Sequence, residues 1–267
     1  MNSKALHVLE YNKIIERLTE KATSEPGRKL CRELLPMTDL DDIEHAQQET
    51  ADALSRLFKK GSTSFGGNKD LGRCIKSLEV GSALSAVELL HIAAMLENVS
   101  RIKAYGRSDR DDTPADSLNE YFDGLEPLTK LANEIRRCIL SEEEIADDAS
   151  PSLKQIRRKK ALTNDKIHSQ LTSMVNGSYR TYLQDAVITM RSGRYCLPVK
   201  SEYKGQVSGM VHDQSSTGST FFIEPAAVVT LNNDLKELDI KEQEEIEKIL
   251  ADLSAQAGEY TDALANN

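Results

Sequence analysis

A histidine, an aspartate and two serines lie within one short segment, and these are the side chains of hydrolase active sites. His212 and Asp213 are followed by Ser215 and Ser216. Catalytic triads, however, combine residues that are distant in the sequence and that meet in a rigid pocket with an oxyanion hole. Asp, Ser and Thr beside a glycine, here Gly218, are more typical of hydrogen-bonded turns. We therefore predict a structural turn here and no catalytic residue.

Basic side chains in the same region indicate a different chemistry, the binding of phosphates. Residues 150–220 contain 11 Lys/Arg and 4 Asp/Glu, although the whole chain has a net charge of -9. A local basic patch attracts polyanions whatever the total charge, because screening limits electrostatic interactions to about 10 Å at ~0.1 M salt. Ordinary solvated surface charge is the alternative interpretation. The candidate phosphate contacts are Arg180, Arg191, Arg194, Lys200 and Lys204.

These candidates fall in or beside a segment with the two-residue period of β-strands. A β-branched run over 186–190 and a Ser192-Gly193 turn, followed by alternating apolar residues, predict a hairpin. Further strands are predicted over 207–211 and 220–223. Pro198 favours an edge position, because proline cannot donate to a ladder. The segment is therefore expected to form three or four antiparallel strands.

Helical stretches with heptad-like spacing flank the strands. Apolar residues follow three–four spacing from Leu153 to Met174, and again from Val228 to Leu264 around an acidic block over 239–245. The first stretch is basic and the second acidic, so an antiparallel pair would match in charge. Each exposed pair contributes only ~0.2–1 kcal/mol, so the apolar seam must provide most of the stability.

The first part of the chain reads as short amphipathic helices. Ser24 precedes Pro26 as an N-cap would, and Gly61 ends a helix from Asp41. Ser85 and Glu88 fit a capping box that opens a helix with a wide apolar stripe. The acidic run from Glu142 to Asp148 is predicted as a further helix start.

Cysteine usage and hydropathy limit the class of protein. The four cysteines are scattered without a CxxC pair, so neither a disulfide scaffold nor a zinc site is predicted. No run of about 18 apolar residues and no signal peptide occurs, so no membrane partner is expected. We expect a cytoplasmic protein.

Two long motifs carry a family resemblance. Residues 191–200 read RSGRYCLPVK, and residues 209–225 read GMVHDQSSTGSTFFIEP, followed by LNN at 231–233. With these motifs the chain resembles the MutS family. It is more similar to the "MutS-two" branch, which is linked to recombination suppression and ribosome rescue rather than mismatch recognition. The stretches LEYNKI from Leu9 and SEPGRKL from Ser24 extend the resemblance over essentially the whole chain.

The resemblance implies a mainly α fold with three kinds of part. A helical core domain would span 1–149, and antiparallel, coiled-coil-like lever helices would span 150–178 and 225–267. A small antiparallel β clamp over 179–224 would lie at their tip. Because the chain stops without a cap at Asn267, we expect it to be truncated before an ATPase domain.

The resemblance also implies which activities these residues lack. No GxxxxGK[ST] motif occurs, so ATP and Mg²⁺ are expected only in a C-terminal part that this chain does not include. We therefore predict no cofactor and no enzyme activity for this chain. The parent would be an ATPase with possible endonuclease activity.

The implied partners are nucleic acids. In the MutS family a clamp grips the phosphate backbone, so the five basic candidates would bind branched DNA or ribosomal RNA without reading bases. The full-length protein would be a homodimer. The alternative is a coiled-coil module whose β-tip recognises a protein partner.

Overall fold

A computed structural model describes residues 3–66, 69–107 and 116–267. The chain divides into two compact units, each described separately below. The first unit takes its described residues from Met1–Ala146 and Leu250–Asn267, and the second unit is Asp147–Ile249. The predicted boundaries at 149, 178 and 224 stay predictions. No helix among the described residues is both long and apolar enough to cross a membrane.

Helices build the first unit, largely as the sequence predicts. Ser24 caps its helix by accepting from the Gly27 N–H at 3.1 Å, and Ser85 and Glu88 form the predicted capping box. The long helix that follows Ser85 is the centre of the core, with Leu89 and Leu96 fully buried. The helices are α1 Ser3–Val8, α2 Tyr11–Lys21, α3 Glu25–Glu33, α4 Leu40–Lys60, α5 Gly72–Glu79, α6 Ala86–Gly106, α7 Asn119–Asp123 and α8 Thr129–Cys138.

A small hairpin replaces the helix start predicted from Glu142 to Asp148, which is wrong. Strands β1 (Ile139–Ser141) and β2 (Glu144–Ile145) pair antiparallel, and Ile139 lies opposite Ile145 with both side chains buried. Burial of this apolar pair outweighs the helical preference of the acidic residues, which occupy the exposed turn. Helix α9 (Pro151–Asn176) begins only after Ser150, whose Oγ accepts from the Leu153 N–H at 3.0 Å.

Two antiparallel helices of opposite charge run through the second unit. Helix α10 (Ala226–Gly258) pairs with α9 through Arg157 and Glu242 at 2.8 Å and through Lys160 and Asp239 at 2.8 Å. The predicted charge match is therefore confirmed. Helix α10 ends at Gly258, before α11 (Thr261–Asn266), so the heptad-like stretch predicted from Val228 to Leu264 is divided between two helices.

A four-stranded antiparallel sheet completes the second unit, in the order β3-β4-β6-β5. Its strands are β3 (Thr189–Arg191), β4 (Arg194–Lys200), β5 (Gly209–Gln214) and β6 (Thr220–Pro225), and a 3₁₀ helix covers Ser201–Gln206. Ser192 and Gly193 have φ of 51° and 73°, which confirms the predicted hairpin turn between β3 and β4. The strands pack on α9 and α10 through a shared apolar core.

Pro198 lies on an interior strand, so the predicted edge position is wrong. Strand β4 is bordered by both β3 and β6. Strand β3 pairs only as far as Cys196, and beyond it the Gln184 N–H donates to the Pro198 carbonyl at 2.9 Å. In an antiparallel ladder the N–H and C=O of one residue point to the same side. The Pro198 nitrogen therefore points to the same side as its carbonyl, where β3 no longer runs, and no N–H of Pro198 is needed for strand pairing there.

Candidate nucleic-acid interface

Three of the five predicted phosphate contacts lie together at one end of the sheet. Lys200 ends β4 and pairs with Thr220, at the end opposite Pro225, where β6 leads into α10. We call this end the distal end. The Lys200 Nζ donates to the Thr181 carbonyl at 3.3 Å, which places the neighbouring Arg180 at the same end. Lys204 follows in the 3₁₀ helix.

These three residues, the distal cations, have no acidic partner within residues 147–249, all of which the structure describes. Arg180 and Lys204 are exposed, and Lys200 is partly exposed. The Lys204 Nζ lies 4.2 Å from the centre of the Phe221 ring, a cation–π contact that leaves its charge uncompensated. Their positive charge is therefore available to an anion from solution.

Arg191 has an internal partner, so it is only partly available. Its Nε lies 3.1 Å from a carboxylate oxygen of Asp213, and its guanidinium carbon lies 3.8 Å from the centre of the Phe222 ring. Both members of the ion pair are substantially exposed. An exposed pair of this kind is weak, since water competes for both charges. A phosphate could share Arg191 only in competition with Asp213.

Arg194 forms ion-pair and hydrogen-bond contacts inside the fold. Its Nη1 donates to Glu224 Oε1 at 2.8 Å, and its Nη2 donates to Asn233 Oδ1 at 2.6 Å. The Glu224 side chain has no exposed surface, so its charge requires a partner inside the protein. The sequence counts Arg194 among the phosphate contacts, whereas the geometry gives it a structural ion pair.

Glu224 is the centre of a buried polar cluster that sequence reasoning missed. Besides Arg194, His212 Nε2 lies 2.5 Å from Glu224 Oε2, and Asn232 Nδ2 donates to Oε1 at 2.8 Å. Asn232 also accepts from the Tyr195 N–H at 3.2 Å. From the sequence alone, Glu224 and Asn232 are part of the family motifs but are not among the candidate site residues. Asn232 in a helix interior is the one signal of this cluster in the sequence, because asparagine is a weak helix former.

The segment that resembles a triad forms a turn, as predicted. The Gly218 N–H donates to the Ser215 carbonyl at 2.8 Å, and the Thr220 N–H donates to Ser215 Oγ at 3.1 Å. His212 is directed to Glu224 instead of to a serine. Ser215 is therefore used for local hydrogen bonding, whereas His212 and Asp213 lie in β5 and contact Glu224 and Arg191.

Burial and ion pairing shift the pKa values of several groups in the second unit, among them Cys196 and Glu242. Burial, and next the negative charge of Glu224, raises the pKa of the Cys196 thiol to about 11, which makes it a poor nucleophile. Burial alone would raise the pKa of Glu242, but hydrogen bonds from Lys160 and Arg157 bring it below its ordinary value. Neither group lies among the distal cations.

Relatives named Endonuclease MutS2 match almost the whole chain. The protein from Agathobacter rectalis is 59% identical over 255 residues, which cover 95% of this chain and 32% of the relative. The protein from Lachnoclostridium phytofermentans is 56% identical over 260 residues, or 95% of this chain and 33% of the relative. The protein from Clostridioides difficile is 42% identical over 269 residues, or 100% of this chain and 34% of the relative.

The chain is a MutS2 homologue. This finding confirms the resemblance to the MutS-two branch, although no family model matches the chain. The chain spans about one third of the length of the curated relatives it matches.

In this MutS2 homologue the distal end of the sheet presents three cations that have no acidic partner within residues 147–249. Lysine and arginine side chains at an exposed surface suit phosphate oxygens, which they contact without distinguishing one base from another. Among the described residues, no group of three or more His, Cys, Asp or Glu could hold a metal ion. The chemistry that the site offers is electrostatic binding.

Proposed function

We propose that this chain is the nucleic-acid-binding, non-catalytic part of a MutS-type ATPase. In this proposal the sheet of the second unit is the clamp, and α9 and α10 are the lever helices. The observation that carries the proposal is the group of distal cations Arg180, Lys200 and Lys204, which share one end of the sheet and have no acidic partner within residues 147–249. The printed name of the relatives supports it, since an endonuclease acts on nucleic acid.

The proposed contact is to the phosphate backbone. Each bound phosphate releases condensed counterions, so affinity comes from charge and falls with salt. Branched DNA and ribosomal RNA both present such phosphates, and the clamp would respond to their shape. These two remain the proposed ligands.

Activities of a longer protein are part of the same proposal. ATP and Mg²⁺ would bind outside these residues, and a homodimer would place two clamps on one ligand and raise affinity through avidity. Endonuclease activity, which the name of the relatives states for them, would also lie outside the clamp.

A binding assay at two salt concentrations tests the proposal. The purified chain is titrated with a four-way DNA junction, a linear duplex of equal length and a ribosomal RNA fragment, at 50 and 200 mM salt. We expect salt-sensitive binding that the substitutions Arg180→Ala, Lys200→Ala and Lys204→Ala, made together, weaken at least tenfold. The matched control changes Lys154, Arg158 and Lys166 to Ala, since these exposed cations of α9 likewise have no acidic partner among the described residues. Equal losses in both triple variants would contradict a role specific to the distal end.

A protein-binding tip is the second candidate, and one observation favours it. Strand β5 is an edge of the sheet and exposes Met210 and Val211, by 53% and 44%. An exposed edge with apolar side chains can pair with a strand of another protein. This candidate predicts no salt-sensitive affinity for any of the three nucleic acids, so the same titration separates the two functions.

A further inference from the structure

Three tyrosines lie beside the distal cations and form a series of rings. Tyr182 is the middle ring, since it stacks on Tyr203 with centroids 5.0 Å apart and lies 6.1 Å from Tyr179. All three are partly exposed. Lys200 and Lys204 adjoin the series, with the Lys200 Nζ 5.8 Å from the centre of the Tyr203 ring. We call Tyr179, Tyr182 and Tyr203 the distal tyrosines.

The phenolic hydroxyls of the distal tyrosines have no hydrogen-bond partner within residues 147–249, all of which are described. Several other tyrosines have a bonded hydroxyl, for example Tyr195, whose hydroxyl donates to Asn164 Oδ1 at 3.1 Å. Tyr121 likewise donates to Glu49 at 2.7 Å. A tyrosine that served only to fill the core would bury its ring or bond its hydroxyl. The distal tyrosines pack partly against the apolar core of the second unit, yet each keeps part of its surface exposed and its hydroxyl has no partner within residues 147–249.

Rings and cations at one surface match the chemistry of unpaired nucleotides. An exposed base stacks on an aromatic side chain, and the phosphate next to it needs a positive charge within reach. A paired duplex offers only its phosphates, because its bases stack on each other. A surface meant for duplex backbone alone would need the cations but gain nothing from an aromatic series.

We infer that the distal end of the sheet binds unpaired nucleotides. Tyr179 and Tyr203, the outer rings of the series, stack on bases, and Arg180, Lys200 and Lys204 hold the adjoining phosphates. The exposed Glu202 in the 3₁₀ helix is the acidic residue nearest in sequence to these groups, and it disfavours closely spaced phosphates on its side. This inference rests on the proposed function and narrows its ligand to single-stranded segments, such as loops or open junction arms.

Fluorescence of a labelled oligonucleotide tests the stacking directly. A 12-nucleotide single strand carrying 2-aminopurine is titrated with the chain, once as DNA and once as RNA, and a fully paired duplex with the same label is the reference. We expect quenching with the single strands, since stacking on a ring quenches this base. A difference between the two affinities would show whether the site prefers single-stranded DNA or single-stranded RNA.

Variants separate stacking from charge. Tyr203→Leu should weaken single-strand binding roughly tenfold and remove most of the quenching, whereas duplex affinity should stay within about twofold. Tyr203→Phe keeps the aromatic ring, so this variant should retain both the single-strand affinity and the quenching. Tyr260→Leu, at an exposed tyrosine of the first unit whose hydroxyl also lacks a partner among the described residues, is the matched control.

The outcomes distinguish this inference from the proposed function. If the triple Ala variant of the distal cations loses affinity for both single strand and duplex while Tyr203→Leu changes neither, the stacking inference is wrong and the clamp proposal stands. If the triple variant also binds both ligands unchanged, the clamp proposal itself is wrong. Circular dichroism and a melting curve for each variant show that a loss of binding is not a loss of fold.

Discussion

The guanidinium of Arg194 lies 2.8 Å from the carboxylate of Glu224, whose side chain is fully buried. Because the carboxylate cannot reach water, the fold supplies its counter-charge from β4 and its hydrogen-bond donors from β5 and α10. This cluster joins four elements, namely β4, β5, α10 and β6, which carries Glu224. The basic residues of the region therefore differ in their surroundings: Arg194 is paired inside the fold, whereas the distal cations have no acidic partner within residues 147–249.

Arg194→Ala should destabilise the protein and Arg180→Ala should not. Removing Arg194 leaves Glu224 buried without its cation, which costs about 2–3 kcal/mol after allowance for the partial exposure of Arg194. The exposed Arg180 should change the free energy of unfolding by less than about 0.5 kcal/mol. Urea denaturation followed by circular dichroism measures both, and equal stability of the two variants would show that the Arg194 pair is unimportant.

Asn232→Ala should destabilise the protein through lost hydrogen bonds. The Asn232 amide serves Glu224 and both backbone groups of Tyr195, so its removal leaves buried polar groups unsatisfied. We expect a loss of about 2 kcal/mol in the free energy of unfolding. Chemical denaturation provides the measurement, and the exposed Asp234→Ala serves as the control. A loss no larger than that of the control would contradict the structural role of Asn232.

Gly209→Ala should disrupt the pairing of β5 with β6. A Cβ at residue 209 would overlap with the Glu224 carbonyl oxygen, a backbone atom that cannot move without shifting the strand. We expect a loss of roughly 2–3 kcal/mol or more, comparable to overpacking in a core. Gly205→Ala is the control, because nothing lies within 4 Å of its added Cβ. Similar melting temperatures for the two variants would be the contrary result.

Glu242→Gln should reduce stability at neutral pH but not in acid. Hydrogen bonds from Lys160 and Arg157 outweigh burial and hold the pKa of Glu242 below its ordinary value of 4.5. A carboxylate with a lowered pKa contributes stability above its unfolded pKa, and the contribution is lost as pH falls through the folded pKa.

The expected difference in free energy of unfolding between wild type and Glu242→Gln is about 1 kcal/mol at pH 7. It should shrink steadily below pH 4.5, the ordinary value. Denaturation from pH 3 to 8 measures it, with the exposed Glu244→Gln as control. A difference that does not change with pH would show that the ion pairs with α9 do not depend on the Glu242 charge.

Local signals in the sequence predict much of this fold. The Ser85 capping box, the Ser192-Gly193 turn and the opposite charges of α9 and α10 each depend on residues close together or on composition. The hairpin over 139–145 escaped prediction because its acidic residues favour a helix start. Only the burial of Ile139 opposite Ile145 outweighs that preference.

The candidate site could be predicted only in part, for a related reason. The density of Lys and Arg in the sequence predicts Arg180, Lys200 and Lys204 as candidate phosphate contacts, because an exposed cation can be predicted without knowing its neighbours in the fold. It does not separate them from Arg194, whose role depends on Glu224 thirty positions away. Nor does spacing bring Tyr182 to Tyr203, because their stacking depends on how the segment after α9 meets the 3₁₀ helix.

The salt dependence of binding tests the clamp proposal most directly. The slope of log K against log[salt] for a duplex or four-way junction is measured for the wild type and for the variant with Arg180, Lys200 and Lys204 changed to Ala. Each lost phosphate contact should reduce the slope by about 0.9, so we predict a reduction of roughly 2–3. An unchanged slope with unchanged affinity, in a variant that folds normally, would show that nucleic acid does not bind at the distal end of the sheet.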